Sequence, residues 1–263
     1  MGIQYREYGD KTAPAFLFIH GGGVSGWMWD QQIEHFSNYH CIIPNLPEHG
    51  LANNDVIFSI ESSAKSLIAL IEEKAQNKEV IVTGFSLGAQ VLVQMLSEKP
   101  DLIDMAIINS ALVRPNPTLI KWMEPMIRWT FPLIKNRRFA KLQAKTLYIK
   151  ENNFEKYYKE SCQISRETLI RVLKENMAFK IPDNFHQVET RMLITVGQKE
   201  KSIMKKSAQD LVAANKNCTG IVLKHIGHGV SLANPEVFHQ IVESWLEKNE
   251  LSGVKEAVTY IKS

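Results

Sequence analysis

Long apolar runs, a paired set of cysteines and a strong net charge are all missing from this chain. No stretch reaches the ~18 apolar residues that a membrane span needs, so an integral membrane segment is excluded. The N-terminus, MGIQYREYGD, has no apolar signal region. Three cysteines, Cys41, Cys162 and Cys218, are scattered without metal-ligand spacing. An odd, sparse set fits buried thiols in a reducing compartment rather than a disulfide framework. A net charge of +3 is too small to argue for a nucleic-acid partner. Internal repeats and low-complexity linkers are absent too. With 44% hydrophobic and 22% charged residues, the composition excludes disorder. The expectation is a soluble, cytoplasmic α/β protein whose 263 residues can bury one large core.

What is present is organised around Glu79–Gly88, EVIVTGFSLG. Val80–Thr83 is β-branched, apolar and too short for a helix, so it reads as a buried parallel strand. Gly84, Ser86 and Gly88 follow, and then apolar residues recur at helical spacing: Val91, Leu92, Met95 and Leu96. A chain turning from strand to helix at one residue leaves little room for a Cβ at 84 and 88. Such a turn lifts the Ser86 hydroxyl out of the sheet, beside the first amides of a helix. Read alone, Gly-x-Ser-x-Gly can also be a plain tight turn with an ordinary serine.

Ile3–Tyr8 reads as an edge strand, Ala13–Ile19 as a buried strand, and Cys41–Ile43 as another. A helix is expected to end near Phe36, and a second spans Ile60–Ala75. Leu102–Asn109, Met192–Val196 and Ile221–Ile226 carry further strands. Asn234–Lys248 is an amphipathic helix opened by Asn-Pro-Glu, with proline in its first turn. Gly253–Lys262 is expected to add a short helix. Strands alternating with helices give a mostly parallel central sheet covered on both faces. Residues 112–190 interrupt that alternation with prolines, aromatics and long helical patterns. They hold 15 Lys and Arg against 8 Asp and Glu, a net of +7, while the rest of the chain holds 16 against 20. A solvated basic face is the plain explanation. A sharper one puts some of Arg114, Arg128, Arg137, Arg138 and Lys141 at the cleft mouth, where they would attract anionic substrates.

Ligands bind such sheets at the carboxyl ends of the strands, where His20–Gly23, Ser86 and Ser110 all lie. A serine hydroxyl needs a base within hydrogen-bond reach and an acid to orient that base. Of eight histidines, His228 is the best base, in Gly227-His228-Gly229 just past a strand. His225 falls within that strand and is expected to pack. His20 and His49 are expected to be structural or lining residues. Glu200 is the one acid in the loop Gly197–Glu200 close to the preceding strand. Asp104 precedes its strand and belongs to the other sheet end. The oxyanion of a tetrahedral intermediate needs fixed donors. Leu87 N–H should be one, and Gly22, with Gly23 next, should supply the other. No metal or organic cofactor is required. Trp122, Trp129, Phe131, Phe139 and Phe154 either line an acyl pocket or pack lid helices on the core.

As a set, these motifs resemble the α/β-hydrolase superfamily. The carriers are His20-Gly21-Gly22-Gly23, Ser25, Trp29, Pro47-Glu48-His49-Gly50, Gly84-Phe85-Ser86-Leu87-Gly88, Gly197-Gln198-Lys199-Glu200 and Gly227-His228-Gly229 before Asn234-Pro235-Glu236. They span residues 14–248 in the family's order. The resemblance implies a Ser86–His228–Glu200 triad. It also implies a hydrolase core over 1–111 and 191–263, with 112–190 as the helical lid that the family commonly inserts after its own sixth strand. Two departures stand out. Relatives often have Asp where this chain has Glu200, and often read Asp-x-Pro-Gly-His-Gly where this chain reads Asn45-Leu46-Pro47-Glu48-His49-Gly50. Serine rather than aspartate at the elbow argues against relatives that cleave epoxides or carbon–halogen bonds. The expected function is a serine hydrolase acting on a small-molecule ester or thioester. Rivals are a carbon–carbon hydrolase or lyase using the same triad, and a non-catalytic binding protein on the same fold.

Overall fold

In the computed structural model, residues 3–50, 56–248, 251, 254 and 256–261 are described. Among the described residues, eight strands form one sheet: β1 (Tyr5–Tyr8), β2 (Ala15–Ile19), β3 (His40–Pro44), β4 (Val80–Phe85), β5 (Met105–Asn109), β6 (Arg191–Gly197), β7 (Cys218–Leu223) and β8 (Val258–Tyr260). Their order is β1-β3-β2-β4-β5-β6-β7-β8. The six inner strands pair in parallel, while β1 and β8 run antiparallel at the two edges.

Alternation along each strand divides the core in two. On β2, Leu17 and Ile19 join Val82 and Ile108 under α2 (Ile60–Lys74), α3 (Leu87–Glu98) and α8 (Ser202–Ala214). Phe16 and Phe18 point the other way, into Ile81, Ile107 and the helices α1 (Asp30–His35), α9 (Val230–Ala233) and α10 (Pro235–Lys248). Because both faces are covered, β2 to β5 are buried along their whole length, and the sequence has to be apolar at consecutive positions there. Helix starts follow local chemistry: Ser59 caps α2 by accepting from Ser62 N, and Asn234 accepts from Val237 N beside Pro235 at the start of α10.

Between β5 and β6 the chain builds a separate helical layer. It comprises α4 (Pro117–Thr130), α5 (Arg137–Thr146), α6 (Glu151–Gln163) and α7 (Arg166–Ala178). Met123 and Ile127 of α4 pack on Ile170 of α7 as a small cluster of their own. Ala140, Phe154 and Tyr157 instead join one main core, and Val172 and Phe179 the other. The layer is therefore a lid-like insertion seated on the sheet's carboxyl end.

Two local expectations are corrected. The last segment holds a strand, not a helix: β8 pairs with β7 through Ile221↔Tyr260 to Leu223↔Val258. Val-Thr-Tyr suits an edge strand, and the pairing occupies the ladder that β7 would otherwise leave open. Residues 253, 255 and 262 of that expectation lie outside the described residues. The β7 strand also stops at Leu223, opposite Gly197, so His225 is not a packed strand residue. It is exposed in a turn at φ 63°, its amide donating to the Gln198 side chain at 3.0 Å.

A tight packing constraint lies at the start of α3. A Cβ on Gly88 would sit 2.5 Å from the carbonyl oxygens of both Ile19 and His20. Backbone cannot give way as a side-chain tip can. Gly88→Ala should therefore destabilise the protein by about 2 kcal/mol, as overpacking in a dense core does. The urea midpoint should fall with little change in its slope.

Candidate active site

Ser86 sits between β4 and α3 at φ 54°, ψ −111°, a backbone conformation that a non-glycine residue adopts only at a cost of about 1–3 kcal/mol. Its own amide holds that turn by donating to Asn109 O at 2.9 Å, across to β5. The Ser86 hydroxyl lies 3.0 Å from His228 Nε2, and His228 Nδ1 lies 2.7 Å from Glu200 Oε2. His228 is carried by the loop after β7, Glu200 by the loop after β6. These two loops touch. A Cβ on Gly197 would collide with the backbone oxygens of Ile226 and Gly227, so a larger residue there would push the histidine loop away.

Exposure falls along this relay. The His228 side chain is 30% exposed and that of Glu200 only 1%. Burial by itself would raise the Glu200 carboxyl. Hydrogen bonds from His228, from Gly197 N at 2.8 Å and from Ser110 Oγ at 2.7 Å outweigh it and hold the group below its ordinary value. An ionised Glu200 accepts, so Nδ1 of His228 must carry the proton that it donates. Nε2 is then left with a lone pair toward the serine O–H.

Ser110 was visible in the sequence only as a polar strand end. In the fold it is a third donor on the buried carboxylate, at φ 57°, fixed by the hydrogen bond from its amide to Thr195 O. Leu87 is the first residue of α3, so its amide has no acceptor inside the helix. Gly22 packs beside it, since a Cβ there would stand 3.5 Å from the Leu87 side chain, and Gly23 adopts φ 76° next to open space. His20 is fully buried and locks this loop. Leu46 N donates to its Nε2 at 2.9 Å, so its Nδ1 donates to Gly21 O at 2.8 Å. Burial pushes its pKa down to about 3, consistent with a neutral ring.

A cavity of about 730 Å³ lies between this loop and the lid. Gly22, Gly23, Glu48, His49 and Gly50 form its core side, and α4 to α7 with their connections form the rest. Phe131 and Phe139 line it, but Phe154 packs in the core. Trp122 and Trp129 are 64% and 85% exposed and line nothing, because the inward face of α4 is carried by Met123 and Ile127. The basic side chains expected at the mouth are spent on surface pairs. Arg114 meets Asp210, Arg128 meets Glu124, Arg137 meets Glu155 and Lys141 meets Glu151, while exposed Arg138 is not among the lining residues. Among the described residues, no cluster of three or more His, Cys, Asp or Glu side chains could hold a metal ion. Nor is any helix among them long and apolar enough to cross a membrane.

The departure at Glu48 has a structural use. Glu48 takes φ 59°, the left-handed conformation that glycine otherwise serves. Its carboxylate reaches the lid, accepting from Arg171 Nη2 at 2.7 Å, Arg171 Nε at 3.0 Å and Thr168 Oγ1 at 2.8 Å. It also accepts from Phe58 N at 2.8 Å. A second tie joins Glu160 of α6 to Ser25 and Trp27 of the core, and a third runs from Gly227 N to the Tyr148 hydroxyl.

A family model described as alpha/beta hydrolase fold matches residues 14–232, and the chain belongs to that family. Fold and relay geometry together define a serine hydrolase rather than a purely structural protein. Over 92% of this chain, it is 23% identical to the (E)-2-((N-methylformamido)methylene)succinate hydrolase of Acinetobacter baylyi, covering 93% of that protein. An AB hydrolase superfamily protein of Gibberella zeae is 31% identical over 111 residues, which are 41% of this chain and only 38% of that protein. Among solved structures, an enol-lactonase from Burkholderia xenovorans superposes with a TM-score of 0.78 at 15% identity, over 94% of this chain and 96% of its own. A thermophilic esterase from Thermogutta terrifontis superposes with a TM-score of 0.74 at 18% identity, over 94% and 93%.

Glu48 gives a pH-dependent test of lid docking. Its burial raises its pKa, but Arg171, Phe58 N and Thr168 outweigh that and leave it lowered. A lowered folded pKa contributes stability above the unfolded value of 4.5, and that contribution is lost as pH falls through the folded value. Glu48→Gln should thus cost about 2 kcal/mol at pH 7. Thermal unfolding of both proteins should show the gap narrowing as pH drops below 4.5.

Proposed function

We propose that the protein hydrolyses a carboxylic ester, or a thioester, through an acyl-enzyme on Ser86. The observation that carries this is the unbroken Ser86–His228–Glu200 relay, at 3.0 and 2.7 Å, entered from a strained elbow. In the first half-reaction Ser86 Oγ attacks the carbonyl carbon while His228 Nε2 takes its proton. The amides of Leu87 and of Gly22 or Gly23 receive the negative oxygen. Collapse of the tetrahedral intermediate breaks the bond to the leaving group, which takes the proton from His228. Water then repeats the sequence and frees the acid. Glu200 stays ionised throughout, holding the tautomer and balancing the imidazolium charge. The names of the solved relatives, an esterase and an enol-lactonase, support an ester-type bond. On this reading the core comprises 1–111 and 191–263, and 112–190 is a lid over the acyl pocket. Three cysteines without a disulfide among them support work in the cytoplasm.

Hydrolysis of p-nitrophenyl esters of graded chain length tests the reading. Ser86→Ala and His228→Ala should each lower kcat by on the order of 10⁴-fold, and Glu200→Gln, though folded, by about 10³- to 10⁴-fold. A fluorophosphonate should label Ser86 in the parent and nothing in Ser86→Ala. Turnover within tenfold of the parent in the serine or histidine variant, with contaminants excluded, would remove the triad.

A further inference from the structure

The reaction above uses no carboxylate except Glu200, yet a second acid stands in the cavity wall. Glu160 of α6 accepts from Ser25 Oγ at 2.8 Å and from Trp27 Nε1 at 2.9 Å. Each of its oxygens keeps a further lone pair. Among the described residues it forms no ion pair with any Lys or Arg. Lys156, one turn earlier on α6, lies 3.6 Å from Asp30 instead. Burial, the largest influence on Glu160, raises its pKa and outweighs the hydrogen bonds from Trp27 and Ser25 and the more distant charge of Lys156.

The other charges around the cavity are already matched. Glu48 is neutralised by Arg171. His49 lowers its pKa through burial and turns Nδ1 to Pro47 O at 2.9 Å, so it brings no positive charge. No lysine or arginine is among the lining residues. The lid as a whole is basic, but its lysines and arginines lie away from the cavity lining. Among the described residues that line the cavity, Glu160 is the one charged side chain without an ion pair, and its charge is negative.

We propose that Glu160 is a specificity residue that receives an ammonium group on the substrate, and that the cavity disfavours a carboxylate at the same place. This rests on the cavity being where the ester's acyl or alcohol part is held. A charge-assisted hydrogen bond in a partly buried site is among the stronger polar contacts, and a like charge there is repelled. The apolar wall of Ile127, Phe131, Ile134, Phe139 and Leu173 would hold the chain that carries the charged end. The substrate class is an ester with an aliphatic arm ending in an amine.

Three esters of matched length, ending in methyl, ammonium or carboxylate, test this across a short series of chain lengths. Ser86-dependent hydrolysis of the methyl series establishes the reaction itself, independently of Glu160. In the parent, kcat/KM for the best ammonium ester should exceed that of its methyl partner by about tenfold, through KM, and the carboxylate ester should fall below both. In Glu160→Gln the ammonium-to-methyl ratio should drop to near one. Glu160→Asp, which keeps the charge, should retain a preference in the same direction. No ammonium preference in the parent at any length overturns the proposal, as does a preference that survives in folded Glu160→Gln. Should Glu160→Gln fail to fold, inhibition of methyl-ester hydrolysis in the parent by alkylammonium ions against the matching alkanols decides the point. Equal inhibition overturns the proposal.

Discussion

Everything in the site hangs on the turn at Ser86, where β4 becomes α3 without a loop. That turn is possible because backbone meets backbone. Gly84 lies under Gly88, and Gly88 lies against the carbonyls that end β2. The contact fixes three things together. It strains Ser86 into a conformation that exposes its hydroxyl, sets the free amide of Leu87 beside it, and brings the glycine loop after β2 within van der Waals distance of Leu87. The strain is held by hydrogen bonds to the neighbouring strand and by the two-sided burial of β4, so it need not relax.

Around that fixed point, the remaining groups arrive from separate strand ends. Parallel order places the ends of β4, β5, β6 and β7 side by side, and each supplies one member: Ser86, Ser110, Glu200 and His228. Ser110 and the Gly197 amide leave the buried carboxylate fully bonded, which makes an ion tolerable at 1% exposure. The lid is tied to this same end of the sheet by polar contacts as well as by apolar packing. Glu48 with Arg171 and Thr168, Glu160 with Ser25 and Trp27, and Tyr148 with Gly227 all join lid to core. Two of these ties reach residues that line the cavity, so lid seating and cavity chemistry are linked.

The amino-acid sequence by itself determined the fold class, the lid's place in the chain, and the identity of the serine, the histidine and the acid that meet. These are legible because they rest on local rules: apolar strands of limited length, helical spacing, glycines at a sharp turn, and one acid or histidine per strand-end loop. Only the tertiary structure decided the rest. Val258–Tyr260 is a strand because β7 offers it an edge, which no local pattern expresses. Trp122 and Trp129 face solvent because the rotation of α4 on α7 is set by Met123, Ile127 and Ile170. Arg114, Arg128, Arg137 and Lys141 of the lid turn away from the cavity because their carboxylate partners lie on neighbouring turns, helices or loops. Glu160 and Ser110 gained their places from contacts 135 and 90 residues away. Composition can count charges, but which of them is left unmatched in a cavity depends on distances that exist only once the chain has folded.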